Sequence, residues 1–282
     1  MGFLLLCPYA IFSKNHNKKL YVLVDEYDTQ LNHLLRFQES PLTKALSLET
    51  AENEDKMSSF RRFFSKLKEA HRKNSKNLRS VIAGVCPLAL NSFTSGFNIA
   101  RDITHAEKYS DLCGITKKDL EEAIKQLNYS DKTVNLLDLM INNYNGYTFH
   151  PDQEEELINP TLASYFLDHI ITYGKLPERM LDKNTSISDN SLQLILKSPI
   201  TENLVTSLMT TGKYDLTKDI DAKIMMSDLM TKEHTLVQLL FHFGTLTFCK
   251  KKKNQLTIPN DITYKEYLQA ILEISKLEQF HE

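Results

Sequence analysis

Cysteine is scarce in this chain, and its few cysteines are not spaced as metal ligands. Only Cys7, Cys86, Cys113 and Cys249 occur among 282 residues, and no two of them form a Cys-x-x-Cys pair. Closely paired cysteines are the usual sequence sign of structural zinc, and secreted domains use cysteines as disulfides. The scarcity therefore argues against zinc and predicts an intracellular, reduced compartment, cytoplasmic or nuclear.

The chain also lacks an excess of basic residues. Its 34 lysines and arginines face 36 aspartates and glutamates, which gives a formal net charge of −2 at pH 7. Proteins that bind nucleic acid attract phosphate through a surplus of basic side chains. The overall charge therefore gives no sign of such binding. The lysines at positions 250–253 form a local basic run, but a charged hairpin tip is usually just solvated.

Long hydrophobic runs are missing as well. The apolar opening at residues 1–12 is too short to cross a bilayer, which predicts no membrane partner. It has no basic segment in front of its leucines, as a secretory signal peptide would, although the leucines keep secretion open as an alternative. The remaining composition, with 41% hydrophobic and 25% charged residues, is typical of a globular protein with one large or two medium domains.

Leu20–Val24 is an apolar run that ends in two adjacent acids, Asp25 and Glu26. A continuous apolar run predicts a strand buried on both faces of a parallel sheet, and such sheets bind ligands at the carboxyl ends of their strands. This is the Walker B pattern, in which Asp25 would hold the Mg²⁺ of a nucleotide through its water shell. Glu26 would orient or deprotonate the attacking water. The alternative is that the acids, with Asp28, cap the helix that follows.

Further elements follow from the pattern of the remaining chain. A second buried strand is expected within residues 77–87, and a long helix at 57–72 would connect it to the first strand in a parallel crossover. Thr116 is placed to cap one helix, and Asn159-Pro160 to open another. A helix at 233–243 followed by strands at 244–249 and 255–259 is typical of a winged helix.

Six short motifs, taken in order, resemble those of one protein family. They are Leu23-Val24-Asp25-Glu26-Tyr27-Asp28, Ala83-Gly84-Val85-Cys86-Pro87, Phe93-Thr94-Ser95-Gly96-Phe97-Asn98, Leu112-Cys113-Gly114-Ile115-Thr116, Tyr144-Asn145-Gly146-Tyr147 and Asn159-Pro160-Thr161. They are similar to motifs of the AAA-ATPase-like proteins whose full-length members usually carry a C-terminal PD-(D/E)XK nuclease-like domain. The resemblance covers residues 20–260. It implies a P-loop NTPase core, a helical lid, a winged-helix tail, and ATP with Mg²⁺ as cofactors.

Three parts of that family pattern are missing from this sequence. A P-loop needs a glycine-rich turn ending in Gly-Lys-Ser/Thr to hold the phosphates, and no such turn occurs. Ala83 and Cys86 stand where the family has hydroxyl side chains after its second strand. The chain after Asn260 is too short for a nuclease domain. We therefore expect an ATPase-like architecture with weak or no hydrolysis.

The predicted fold class is α/β, with an incomplete P-loop NTPase-like parallel sheet, then a helical lid and a C-terminal winged-helix-like region. The expected domains are an atypical apolar N-terminus at 1–18, a truncated core and lid at 19–174, and the C-terminal region at 175–282. Two hypotheses of function stay open. The chain is either a fragment or incomplete gene model of an ATP-hydrolysing switch protein, or a non-catalytic module that binds protein partners. Nucleic-acid contact through the winged helix is a third.

Overall fold

The computed structural model describes most of the chain in separate stretches. These are residues 18–28, 51–73, 76–85, 99–127, 129, 133–181, 192, 195–196, 198–220, 224, 228, 231–250 and 252–279, with the backbone alone for 51–61 and 273–279. The chain divides into two compact units, Met1–Arg101 with Lys223–Met230 and Asp102–Ala222 with Thr231–Glu282. The boundary predicted after residue 174 lies inside the second unit. The described residues form a mixed α/β structure with a parallel sheet and an antiparallel sheet.

The first unit contains the predicted parallel pair of strands. Strands β1 (Leu20–Val24) and β2 (Leu78–Ile82) run parallel, with Leu20 opposite Leu78. Helix α1 (Ala51–Lys73) lies between them in the chain and begins earlier than predicted. Its Phe64 and Leu67 are buried against Leu78, so the helix covers one face of the two strands.

The expectation that β1 is buried on both faces is wrong. Leu20 and Val22 pack on the cluster beneath α1, but Tyr21 and Leu23 are 61% and 76% exposed. Val81 on β2 is likewise 61% exposed. Successive side chains of a strand point to opposite faces, and among the described residues α1 covers only one face of the pair. An apolar run therefore does not by itself show that both faces are covered.

The second unit begins with helices whose starts the sequence predicts. Helix α2 (Lys117–Lys125) is capped by Thr116, whose hydroxyl accepts the amide of Asp119 while the Asp119 carboxylate accepts the amide of Thr116. This reciprocal capping box satisfies two amides that the helix leaves without partners. Helix α3 (Leu136–Tyr144) follows. Helix α4 (Pro160–Tyr173) begins with proline in its first turn, and its Asn159 cap accepts two amides.

These helices enclose an apolar core in the second unit. Its most deeply buried members are Leu120, Met140, Tyr144, Ile158, Ala163 and Phe166. Tyr144 keeps its hydroxyl satisfied inside this core, because it donates to the carbonyl oxygen of Met180 at 2.7 Å. Burial raises the pKa of this hydroxyl well above its ordinary value. Tyr144 is therefore part of the packed core.

The C-terminal part of the second unit contains an antiparallel sheet. After helix α5 (Glu202–Thr211) come strand β3 (Lys213–Asp215), helix α6 (Glu233–His242), and strands β4 (Thr247–Cys249) and β5 (Lys252–Thr257), then helix α7 (Asp261–Gln279). The order in the sheet is β3-β5-β4. The pattern predicts β4 and β5, with β4 starting later and β5 earlier than expected, but it does not predict β3. None of the described helices combines the length and the apolar composition needed to span a bilayer.

Candidate functional site

Asp25 and Glu26 lie at the carboxyl end of β1, where the sequence predicts them. Since β1 and β2 are parallel, the residues after β2 lie at the same edge of the pair. Two backbone hydrogen bonds hold this edge together. The amide of Ala83 donates to the carbonyl of Val24 at 2.8 Å, and the amide of Tyr27 donates to the carbonyl of Ala83 at 3.3 Å. The structure thus brings the turn at Asp25–Asp28 beside the end of the second strand. We call this carboxyl end of the strand pair, with Asp25–Asp28 and the residues directly after β2, the acidic edge.

The backbone turns sharply at the second acid. Glu26 has φ of +48°, in the left-handed region that non-glycine residues rarely occupy. Its amide donates to Oδ1 of Asp25 at 2.8 Å. Such a conformation costs roughly 1–2 kcal/mol and is found preferentially at functional sites. Both carboxylates are exposed, so they are accessible to a solvated ion or ligand.

Asp28 and Gly84 are two residues of this edge whose close contact the sequence does not reveal. The Asp28 side chain is only 1% exposed. A Cβ atom on Gly84 would lie 2.5 Å from Oδ1 of Asp28 and 2.5 Å from a ring carbon of Tyr27. Gly84 is therefore required for the close approach of the turn. The signal in the sequence is a glycine two residues after β2, which marks a place where backbone and side chains come close.

Replacing Gly84 by alanine is expected to loosen the acidic edge. The added methyl group must displace Tyr27 or Asp28, and overpacking of this kind costs typically about 1–3 kcal/mol. Urea unfolding followed by far-UV circular dichroism measures the loss in free energy of unfolding. Val85→Ala is the control, since Val85 is 49% exposed and its truncation should change the free energy by less than about 0.5 kcal/mol. Equal losses in the two variants would contradict the assigned contact.

The acidic edge does not by itself form a metal-binding cage. Among the residues that the structure describes, no group of three or more histidine, cysteine, aspartate or glutamate side chains is arranged to hold a metal ion. Mg²⁺ usually takes one or two carboxylates and completes its shell with water and phosphate oxygens. Asp25 can fill the carboxylate role only if phosphates and waters supply the other ligands. The roles of Asp25 and Glu26 remain predictions.

Several predicted features fall on residues outside the described part of the chain. They are the apolar N-terminus up to residue 17, Cys86, the motif at 93–98, and the helix expected directly after Asp28, on which the capping alternative depends.

The Tyr144-Asn145-Gly146-Tyr147 motif has a structural role in the second unit. Asn145 donates from Nδ2 to Oε2 of Glu156 at 2.9 Å. The backbone carbonyl of Asn145 accepts from Nδ2 of Asn260 at 2.9 Å. Gly146 lies directly against the backbone of Pro259. The motif thereby connects helix α3 to the segment between β5 and α7.

The lysine run at the turn between β4 and β5 is partly neutralised by acids of the same unit. Lys250 lies 3.3 Å from Glu156, and Lys253 pairs with Asp152. Exposed pairs of this kind contribute about 0–1 kcal/mol each, so their effect on stability is small. Their effect on charge is larger, because two of the four basic charges already face carboxylates.

An open cleft of about 470 Å³ lies beside this turn in the second unit. Its polar lining includes Asn145, Glu156, Lys250 and Asn260. These side chains are bonded within the same network, since Glu156 accepts from Asn145 and faces Lys250, while Asn260 donates to the carbonyl of Asn145. These four polar groups of the lining therefore already have structural partners.

The described residues define a mixed α/β protein with a small parallel sheet in one unit and an antiparallel sheet in the other. Comparisons of the chain with protein-family models, with curated proteins and with solved structures gave no match.

Proposed function

We propose that this chain is a relative of the AAA-ATPase-like proteins that keeps the acidic edge of a nucleotide site but hydrolyses ATP weakly or not at all. The observation that carries the proposal is the position of Asp25 and Glu26. They follow β1 at the edge where the parallel strand β2 also ends. In P-loop NTPases, an acid in this position holds Mg²⁺ and its neighbour acts on the attacking water.

Weak activity follows from what the edge lacks. Phosphate affinity in such sites comes from the backbone amides and lysine of a glycine-rich turn, and the sequence contains no such turn. Ala83, directly after β2, offers a methyl group where a hydroxyl could reach a phosphate. One oxygen of Asp25 already accepts the amide of Glu26. These residues support a site that recognises little beyond the metal.

The C-terminal sheet supports a winged-helix assignment within the same proposal. Helix α5 leads into β3, and α6 leads into the hairpin of β4 and β5, whose strands pair antiparallel. Strand β3 joins the far edge of β5. A helix followed by such a sheet is the arrangement of a winged helix. The pairing of Lys250 and Lys253 with acids favours a structural role over nucleic-acid contact.

Titration of the full chain with Mg²⁺-ATP by isothermal calorimetry tests this proposal. We expect no saturable heat at micromolar nucleotide, since each missing phosphate contact removes affinity and a factor of ten corresponds to about 1.4 kcal/mol. A micromolar dissociation constant would contradict the expected weakness. If such binding occurred and Asp25→Asn abolished its dependence on Mg²⁺, Asp25 would still be placed at the metal. Mg²⁺-dependent binding unaffected by Asp25→Asn and Glu26→Gln would remove both residues from the site.

A non-catalytic interaction module is the second candidate, and the exposed face of the parallel pair favours it. Tyr21, Leu23 and Val81 present apolar side chains that are 61%, 76% and 61% exposed on neighbouring strands. Contiguous apolar surface of this kind marks interaction sites in other proteins. A purified chain that is stable, ignores ATP and associates through this surface would favour the module over the enzyme.

A further inference from the structure

Strand β1 has an edge that no strand pairs with among the described residues. Its backbone hydrogen bonds to β2 come from alternate residues. The amide of Leu20 donates to the carbonyl of Asn77 at 2.7 Å, and the carbonyl of Val24 accepts from the amide of Ala83 at 2.8 Å. Backbone groups of successive residues point to opposite sides of a strand. The amides and carbonyls of Tyr21 and Leu23 therefore point to the other edge. An open edge of this kind is a template for pairing with another strand.

The charges along this strand are arranged with opposite signs at its two ends. Lys18-Lys19 precedes the apolar run and Asp25-Glu26 follows it, so the pattern changes sign about its centre at Val22. If a second copy pairs antiparallel about Val22, Lys19 of each copy lies opposite Asp25 of the other. Opposite charges facing across antiparallel strands stabilise the pair, and like charges destabilise it.

The same register satisfies the backbone and the apolar side chains. It places Tyr21 opposite Leu23 of the second copy, and both residues direct their backbone groups to the open edge. Each such pair can exchange two hydrogen bonds, as directly opposite residues do in antiparallel sheets. Their side chains, which are 61% and 76% exposed, would contact each other across the new boundary. A shift by one residue would put the edge-facing groups out of phase. A shift by two would set Lys19 opposite Leu23, or Tyr21 opposite Asp25.

We propose that the chain forms a two-fold symmetric dimer in which the β1 edges of two copies pair antiparallel about Val22. The sheet then runs continuously from β2 and β1 of one copy to β1 and β2 of the other. A two-fold interface requires that one surface be complementary to itself. In this register the end charges of β1 face opposite charges, its edge-facing backbone groups face each other, and Tyr21 and Leu23 lie on the same face. A different partner would need a strand of matching pattern. The inference does not depend on nucleotide binding.

Sedimentation equilibrium of the full chain over about 1–100 µM tests the dimer, since small edge interfaces bind in the weaker part of the affinity range. We expect a dimer whose affinity falls about tenfold or more in Lys19→Glu, where both symmetric contacts join two acids. Asp25→Lys should have the same effect, because both contacts then join two bases. Mixing these two variants controls for effects of the substitutions on folding.

An equimolar mixture of the Lys19→Glu and Asp25→Lys chains should dimerise again, because each contact then joins one acid and one base. The double variant Lys19→Glu/Asp25→Lys should likewise form a dimer with itself. A folding defect in either single variant could not be repaired by mixing. Recovery of dimer mass in the mixture is therefore the result specific to this register.

Leu23→Pro gives a second, independent test. Proline removes the Leu23 amide, which points to the open edge and is not used in the pairing with β2. We expect a monomer with an unchanged far-UV circular dichroism spectrum. A wild-type chain that is monomeric throughout would overturn the proposal, and the edge would then be covered within the chain or by another partner. A dimer whose affinity is unchanged in both charge variants would also overturn it, since the contact would lie elsewhere. Failure to bind nucleotide is read from calorimetry and leaves these masses unaffected.

Discussion

Gly146→Ala is expected to destabilise the second unit by about 4 kcal/mol or more, which is the range of the most severe single substitutions. Gly146 has φ of +102°, a conformation that residues with a Cβ atom rarely adopt. The new Cβ would also lie 2.0 Å from the carbonyl oxygen of Pro259 and 2.8 Å from its carbonyl carbon. Both are backbone atoms, so no side-chain rotation can relieve the contact. Relief requires moving the segment that leads from β5 into α7.

Gly174→Ala is the matched control for this substitution. Gly174 also has a positive φ, +66°, but a Cβ added there meets no atom within 4 Å. It should therefore cost only the left-handed conformation itself, about 1–2 kcal/mol. Urea unfolding followed by circular dichroism measures both variants. Similar losses at the two positions would show that the contact with Pro259 contributes nothing beyond backbone conformation.

Thr247→Val is expected to lower the free energy of unfolding of the second unit by about 2–4 kcal/mol, because it removes one hydroxyl and leaves buried partners without it. Thr247 on β4 and Thr148 are buried at 2% and 3% exposure. Oγ1 of Thr247 accepts the amide of Thr148 at 2.8 Å and lies 3.1 Å from its hydroxyl. Valine preserves the shape of threonine but cannot accept, so the Thr148 amide is left unsatisfied in the interior.

Thr210→Val is the matched control for the loss of a hydroxyl. The Thr210 hydroxyl donates to the carbonyl of Thr206 at 2.7 Å, but both residues are exposed on α5 and water can replace the bond. Its substitution should change the free energy of unfolding by less than about 0.5 kcal/mol. Calorimetric unfolding of both variants distinguishes the buried from the exposed hydroxyl. A small effect at Thr247 would mean that the interior reorganises to satisfy the Thr148 amide.

Local features of the fold follow well from the sequence. Thr116 and Asn159 cap the helices that they precede, because a side-chain oxygen at that position satisfies amides only one turn away. The parallel pairing of β1 and β2 also agrees with the prediction, since a long helix between two apolar strands leaves room for a crossover. For the candidate site, the sequence predicts that Asp25 and Glu26 follow β1. It does not predict that Glu26 is left-handed or that Gly84 makes room for Asp28.

The features that the sequence does not predict depend on contacts with segments that are distant in the chain. Strand β3 has three residues, too few to show an alternating pattern, and only its pairing with β5 defines it. The sequence predicts that Lys250 is solvated, but in the folded chain Glu156, from a distant part of the sequence, lies beside it. Likewise, an apolar run predicts a strand but does not show whether one face or both are covered.

The sequence by itself determines where the helices capped by Thr116 and Asn159 begin and which segment forms the first strand. It also determines that two acids and opposite end charges accompany that strand. These are short-range properties, decided by side chains within a few positions of one another. Only the tertiary structure decided that Tyr21 and Leu23 are exposed and that their backbone groups face an edge with which no described strand pairs. It also decided that Gly84 lies against Asp28 and Gly146 against Pro259. The reason is physical: burial, pairing and close approach depend on segments that are distant in the chain and come together only on folding.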